Sequence, residues 1–207
     1  MELVDKSVRD VLAAFSAPDP TPGGGSASAL AAAVGASLLM MVASMPKSRT
    51  GSDEERDALR RSATRLTAVR QRLTEAIDAD AAAYDEVVAA YRLPKASDAD
   101  KAARTAAIQR ALRTAADVPL EVMRLSAEAM ADARLVAANG HRGASSDIGV
   151  AVALLRAGLH GARLNVEINV SSIRDDAYTT AVRTEVNRLE QEGVGSAEAA
   201  ERALTTE

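Results

Sequence analysis

The sequence predicts an all-α protein, a single-domain antiparallel helical bundle with long central helices, and three observations predict it. Apolar residues recur three and four positions apart over most of the chain. Aromatic residues make up only 2% of the 207 residues, with no Trp and one Phe, so the core must be assembled from Ala, Leu, Val, Ile and Met on closely packed helices. No alternation of apolar and polar residues is long enough to read as a strand. A hydrophobic content of 47% supports one large core, and no linker or fixed-period repeat divides residues 1–207 into further domains.

The elements follow in order. Leu3, Val8, Val11, Leu12 and Phe15 outline one face of a short first helix, stopped by Pro18, Pro20 and Pro22. Gly23, Gly24 and Gly25 lead into Ser26, which is expected to cap a second helix running to about Met45, before Pro46. No charge occurs from Pro20 to Pro46, so a membrane span enters on length alone. Ala, Gly and Ser dominate the segment, however, which favours a central helix approached closely by its neighbours or by a second subunit.

Ser52 and Glu55 form a capping-box pattern that opens the longest helix, expected to reach about Leu93 before Pro94. Along it Leu59, Leu66, Leu73, Ile77, Asp80, Tyr84, Val87 and Tyr91 form one stripe expected to face inward. Ser97 and Asp100 repeat the capping pattern before an Ala-rich helix that ends near Ala138, with a kink or break expected at Pro119 and a stop at Gly140. Ser145 or Ser146 is expected to cap an apolar helix through Asn169, on which Gly158, Ala162, Asn165 and Asn169 share a face. A polar helix from about Asp176 to Glu192 follows, with Gly193-Val194-Gly195 expected to separate it from a short tail helix.

Composition narrows the function. The net charge is -4, with basic and acidic residues interleaved, which argues against nucleic acid as a partner. Cysteine is absent, which excludes disulfides, a thiolate nucleophile and a zinc-thiolate site. The opening MELVDKSVRDVLAAF lacks a signal-peptide pattern, so a cytoplasmic protein without membrane attachment is expected. His141 and His160 are too separately placed to suggest a metal site, and no metal is expected.

Three features can carry chemistry. Asp80 is a carboxylate on an apolar stripe, where burial would raise its pKa toward the range useful for proton transfer, unless it sits at the stripe's edge and reaches solvent or an Arg. Pro22-Gly23-Gly24-Gly25-Ser26 enters a helix with bare backbone N–H groups that can meet an anion, or is simply a turn with a serine cap. Asn165 and Asn169 lie one helical turn apart, and their carboxamides suit a heterocycle such as a pterin or a bond between helices.

Together these residues resemble the formimidoyltetrahydrofolate cyclodeaminase and methenyltetrahydrofolate cyclohydrolase family. The resemblance spans nearly the whole chain. It is carried by Pro20-Thr-Pro-Gly-Gly-Gly-Ser26, Asp78-Ala-Asp80 with Ala83-Tyr84, Leu93-Pro94-Lys95, Asp117-Val-Pro-Leu120, Ser146-Asp147 and Leu164-Asn165-Val-Glu-Ile-Asn169. It implies a helical subunit that forms a homodimer through its helices, with the folate site near the subunit junction. It also implies Asp80 as the catalytic residue. Gly23, Gly24, Gly25, Ser26, Lys95, Asp147, Asn165 and Asn169 would line or support the pocket.

No cofactor beyond the tetrahydrofolate substrate is implied. The favoured activity is conversion of 5-formiminotetrahydrofolate to 5,10-methenyltetrahydrofolate and ammonia; the alternative is hydrolysis of 5,10-methenyltetrahydrofolate to 10-formyltetrahydrofolate. A non-catalytic folate-binding or helical scaffold protein is the reading from a different class. The segment Met45-Pro-Lys-Ser-Arg-Thr-Gly51 and the residue His141 depart from the family pattern and bear on substrate preference.

Overall fold

Helix-forming residues dominate the chain, and the computed structural model, which describes residues 2–205, is built from six α-helices. They are α1 (Val8–Ser16), α2 (Gly24–Ala43), α3 (Asp53–Tyr91), α4 (Asp98–Asn139), α5 (Ser145–Val170) and α6 (Asp176–Thr205). Single 3-10 turns occupy Leu3–Asp5 and Arg142–Ala144. Short turns join α3 through α6, so successive helices run antiparallel. Among the described residues no strand forms, and the one extended pairing is an isolated bridge between Ser48 and Gly140.

The low aromatic content dictates how the helices meet. Small residues let α2 and α5 approach closely: a Cβ on Gly158 would lie 2.7 Å from the Ala32 Cβ, and one on Gly35 would lie 2.8 Å from the Ala151 carbonyl. Residue numbers rise along α2 as they fall along α5, so this pair is antiparallel. The uncharged α2 is long and apolar enough to cross a membrane, yet it lies against α3, α4 and α5, with Ala29, Ala32, Ala36, Leu39 and Val42 fully buried. It is therefore a core helix in this fold, with Val34 and Met41 left on its outer face.

Helix α4 runs unbroken through Pro119, so of the kink or break expected there the break does not occur. Pro119 is buried between packed helices, and that packing offsets the missing backbone hydrogen bond. Farther along α4, the buried Asp132 accepts from Ser62 Oγ at 2.8 Å and from Arg65 Nε at 3.1 Å, which ties α4 to α3. Helix α6 likewise continues past Gly193. A Cβ there would lie 2.7 Å from Leu159 Cδ2 and 3.0 Å from Met130 Cε, so this glycine marks close packing rather than a break.

The serines behave differently from their sequence pattern. The N-cap of α2 is Gly23, and Ser26 lies inside the first turn. Helix α5 is preceded by Ala144 with no side-chain cap, because the 3-10 turn delivers Ser145 already in helical geometry, with φ -59° and ψ -37°. Ser52 and Ser97 do cap α3 and α4, by accepting the backbone N–H of Glu55 and Asp100. Glu55 turns back to the loop, where its carboxylate accepts the N–H groups of Thr50 and Gly51, and its pKa falls to about 2.

Candidate active site

The inward stripe of α3 changes character halfway along. Leu59, Leu66, Leu73 and Ile77 are buried, but Tyr84 is 42% and Tyr91 50% exposed, and Asp80 and Val87 are half-buried. Helix α2, about 30 Å long, starts beside Asp80 and leaves the last turns of α3 uncovered. The uncovered stretch forms one wall of a cleft of about 320 Å³.

Asp80 sits where the two helices meet. Its Oδ2 accepts the Ser26 backbone N–H at 2.8 Å and the Ser26 hydroxyl at 3.2 Å. The carboxylate lies so close to Gly25 that a Cβ there would be 2.0 Å from Oδ1, so only glycine lets the carboxylate keep this position. Burial pushes the Asp80 pKa above the ordinary aspartate value, and the two Ser26 bonds oppose that rise by stabilising the ionised form. Asp78, two residues earlier, serves the fold instead, since its Oδ1 accepts the Leu3 N–H at 2.6 Å and pins the N-terminal segment.

The remaining walls come from three elements. Pro20, Thr21 and Gly23 to Gly25 form the rim at the start of α2, and Ala115 contributes from α4. From α5 come Asn165, Ile168 and Asn169. Asn165 Nδ2 donates to the Gly161 carbonyl at 2.8 Å; Asn169 Nδ2 donates to the carbonyls of Ala115 at 2.8 Å and Asn165 at 2.9 Å. With their amide nitrogens engaged inside the protein, both residues have a carboxamide oxygen left to accept a ligand's N–H group. Tyr84, Val87 and Ile168 add an apolar surface on which a flat ring can rest.

The structure thus brings together Asp80, Gly23, Gly24, Gly25, Asn165 and Asn169. Ser26 is sealed from solvent and reaches the cleft only through Asp80. Lys95 is exposed in the turn between α3 and α4 and does not line the cleft. Asp147 lies in the first turn of α5, 18 residues before Asn165, so about 27 Å of helix separates them within one chain. Asp117, in the Asp-Val-Pro-Leu motif, accepts the Tyr178 hydroxyl at 2.7 Å and joins α4 to the start of α6.

Sequence reading missed Tyr84, Val87 and Ile168 as cleft residues. For Ile168 the available signal was its position between two carboxamides; for Tyr84 and Val87 the periodicity pointed to the core. The altered loop between α2 and α3 is structural. Its Arg49 donates a backbone N–H to Asn139 O at 2.8 Å and a guanidinium N–H to Ala137 O at 3.0 Å, capping the end of α4. It sits at the opposite end of α3 from Asp80.

A larger groove of about 460 Å³ lies between α3 and α4. Its Arg72 bonds Glu121, its Arg124 bonds Glu185 at 3.2 Å and its Asp117 accepts the Tyr178 hydroxyl, so most of its charged groups are already engaged within the fold. The cleft at Asp80 is therefore the better place for chemistry.

Fold and cleft define an all-helical protein with a polar site at helix ends and a carboxylate suited to proton exchange. A family model described as formiminotransferase-cyclodeaminase matches residues 7–188, and the chain belongs to that family. A methenyltetrahydrofolate cyclohydrolase of Methylorubrum extorquens is 39% identical over 174 residues, 84% of each chain. A formimidoyltransferase-cyclodeaminase of Rattus norvegicus is 34% identical over 190 residues, which are 92% of this chain but 35% of the rat protein. The crystal structure of a formiminotetrahydrofolate cyclodeaminase from Thermotoga maritima shares the fold, with a TM-score of 0.88 at 24% identity over 98% of both chains.

Proposed function

We propose that the chain is an enzyme acting on a tetrahydrofolate-borne one-carbon group, and that its reaction is hydrolysis of 5,10-methenyltetrahydrofolate to 10-formyltetrahydrofolate. The observation that carries an acid-base site is Asp80, held by one oxygen and open to the cleft at the other. The sequence by itself favours the cyclodeaminase reaction. The Methylorubrum relative favours the hydrolytic one, because at 39% identity it is more similar to this chain than the rat formimidoyltransferase-cyclodeaminase at 34%.

In the hydrolytic reaction Asp80 accepts a proton from water as its oxygen bonds to the methenyl carbon, and that proton passes to solvent. The resulting hydroxyl then gives up its proton through Asp80 to N5 as the bond from N5 to carbon breaks, leaving the formyl group on N10. The methenyl substrate carries a delocalised positive charge, which a carboxylate in a partly dry cleft attracts strongly. The carboxamide oxygens of Asn165 and Asn169 would accept from the pterin's N–H groups, and Tyr84 and Ile168 would pack on its ring.

The cyclodeaminase reaction is the second reading, supported by the family model and the rat relative. Here Asp80 takes the N10 proton as N10 attacks the formimino carbon, and returns a proton to the amino group, which leaves as ammonia. Both reactions pass through the same tetrahedral imidazolidine, differing in a hydroxyl or an amino substituent. A non-catalytic role has less support, because Asp80 keeps its raised pKa and the altered loop turns out to be a helix cap.

The test is to add purified protein to 5,10-methenyltetrahydrofolate and follow loss of the methenyl chromophore against the uncatalysed rate. In parallel, 5-formiminotetrahydrofolate is supplied and appearance of the same chromophore is followed. Catalysed loss supports hydrolysis, catalysed appearance supports the cyclodeaminase, and neither rejects both. A homodimer through the exposed apolar residues of α2 and α5, including Val34, Met41, Val150 and Leu164, belongs to the same proposal. A monomer in light scattering at micromolar concentration would contradict it.

A further inference from the structure

We propose that Ser26 is a positioning residue that divides the work of the Asp80 carboxylate, locking Oδ2 as a permanent acceptor and making Oδ1 the oxygen that exchanges protons with the substrate. The inference rests on the functional reading above for the identity of the substrate, but not for the geometry.

Two donors converge on the same oxygen. The Ser26 backbone N–H, 2.8 Å from Oδ2, belongs to the first turn of α2 and cannot rotate away. The Ser26 hydroxyl adds a second bond at 3.2 Å, and Ser26 is wholly buried, so water cannot replace it. A proton placed on Oδ2 would meet the Ser26 backbone N–H, which can only donate, and would force the Ser26 hydroxyl to turn from donor to acceptor in a dry site. A proton on Oδ1 leaves both Ser26 bonds intact, because the carbonyl-like Oδ2 still accepts them. Oδ1 accepts no hydrogen bond from the described residues and is not among the buried atoms cut off from solvent.

Gly25 completes the arrangement by letting Oδ1 lie against the backbone with no side chain in the way. The carboxyl can therefore gain and lose a proton on the cleft side without swinging, so each transfer involves one O–H bond and no rearrangement of its partners. Ser26 also counters the effect of burial by favouring the ionised carboxylate, the form that accepts a proton. The sequence pattern makes Ser26 a helix cap or pocket-lining residue; the structure gives it a position behind the carboxylate.

The experiment compares the unmodified protein with Ser26→Ala and Ser26→Cys, the latter close in shape and a weaker donor. The Asp80 carboxyl is titrated in substrate-free protein by carbon-13 NMR, its resonance assigned by its absence in Asp80→Asn. The expected result is a midpoint raised by on the order of one pH unit in Ser26→Ala, with Ser26→Cys between. The limb of the pH-rate profile that reports Asp80 should move upward in the same order, with kcat reduced below it and KM within about twofold. An unchanged Asp80 midpoint in a folded Ser26→Ala overturns the proposal, as does a rise in KM with kcat and the pH profile unaltered. If the unmodified protein turns over neither folate derivative, the functional reading fails while the NMR titration still decides the role of Ser26.

Discussion

The two halves of α3 carry the same periodic stripe and end in different environments. From Leu59 to Ile77 the stripe packs beneath α2 and α4, where Leu66 and Leu73 lose all contact with water. From Asp80 to Tyr91 the same face runs past the start of α2, and Asp80, Tyr84 and Val87 border a cleft while Tyr91 is exposed. Periodicity specifies that a face is apolar, but the partner helix decides whether that face becomes core or binding surface. A site made this way needs no special backbone: a long helix outreaches a shorter neighbour, and the shorter helix brings its N-terminal N–H groups to the step.

The sharpest way to test this division is at the step itself. Asp80→Asn is expected to lower turnover by about 10²- to 10⁴-fold while leaving the helical circular dichroism spectrum unchanged. Burial raises the Asp80 pKa, so the stabilising contribution of this carboxyl is fully present below its unfolded value near 3.8 and is lost as pH rises through its folded value. Asp80→Asn should therefore melt at least as high as the unmodified protein at pH 7. A lower melting temperature at pH 7 would show that ionised Asp80 is a net structural support rather than a strained site group.

Gly25→Ala follows in size. The added methyl would overlap Oδ1, so the carboxylate or the start of α2 must shift. A loss in kcat of about 10²-fold is expected, in line with the cost of displacing a reacting group by an ångström. Unaltered turnover would mean that the carboxylate position is not critical.

A pair of truncations then compares the halves directly. Leu66→Ala, at a site with no exposure, should destabilise by about 2–5 kcal/mol in urea unfolding. Tyr84→Ala, at 42% exposure, should cost less than about 1 kcal/mol of stability, yet raise KM for the folate substrate severalfold. Equal losses of stability would contradict the division of α3 into a core half and a cleft half.

The sequence was most informative where local chemistry is self-sufficient. The caps at Ser52 and Ser97 and the stop at Gly140 depend on residues within a turn or two of one another, and the structure shows them where the sequence puts them, whereas the apolar stripe of α3 is buried as read only from Leu59 to Ile77. Asp80 was legible because a carboxylate interrupts an otherwise apolar row. By itself the sequence thus determined an all-helical protein, the bounds of its longest helices and a carboxylate at an unusual place.

The tertiary structure decided what depends on neighbours distant in sequence. Pro119 and Gly193 look like breaks to a local rule, but packing holds α4 and α6 continuous through them. Ser26 looks like a cap until Asp80, 54 residues away, arrives as its partner. Tyr84 looks like core until the length of α2 is known, while Lys95 and Asp147 share motifs with the site residues yet lie away from the cleft. The physical reason is common to all of them: a helix's periodicity and caps are written within its own turns, whereas burial, pKa and access to a ligand depend on where another helix begins and ends.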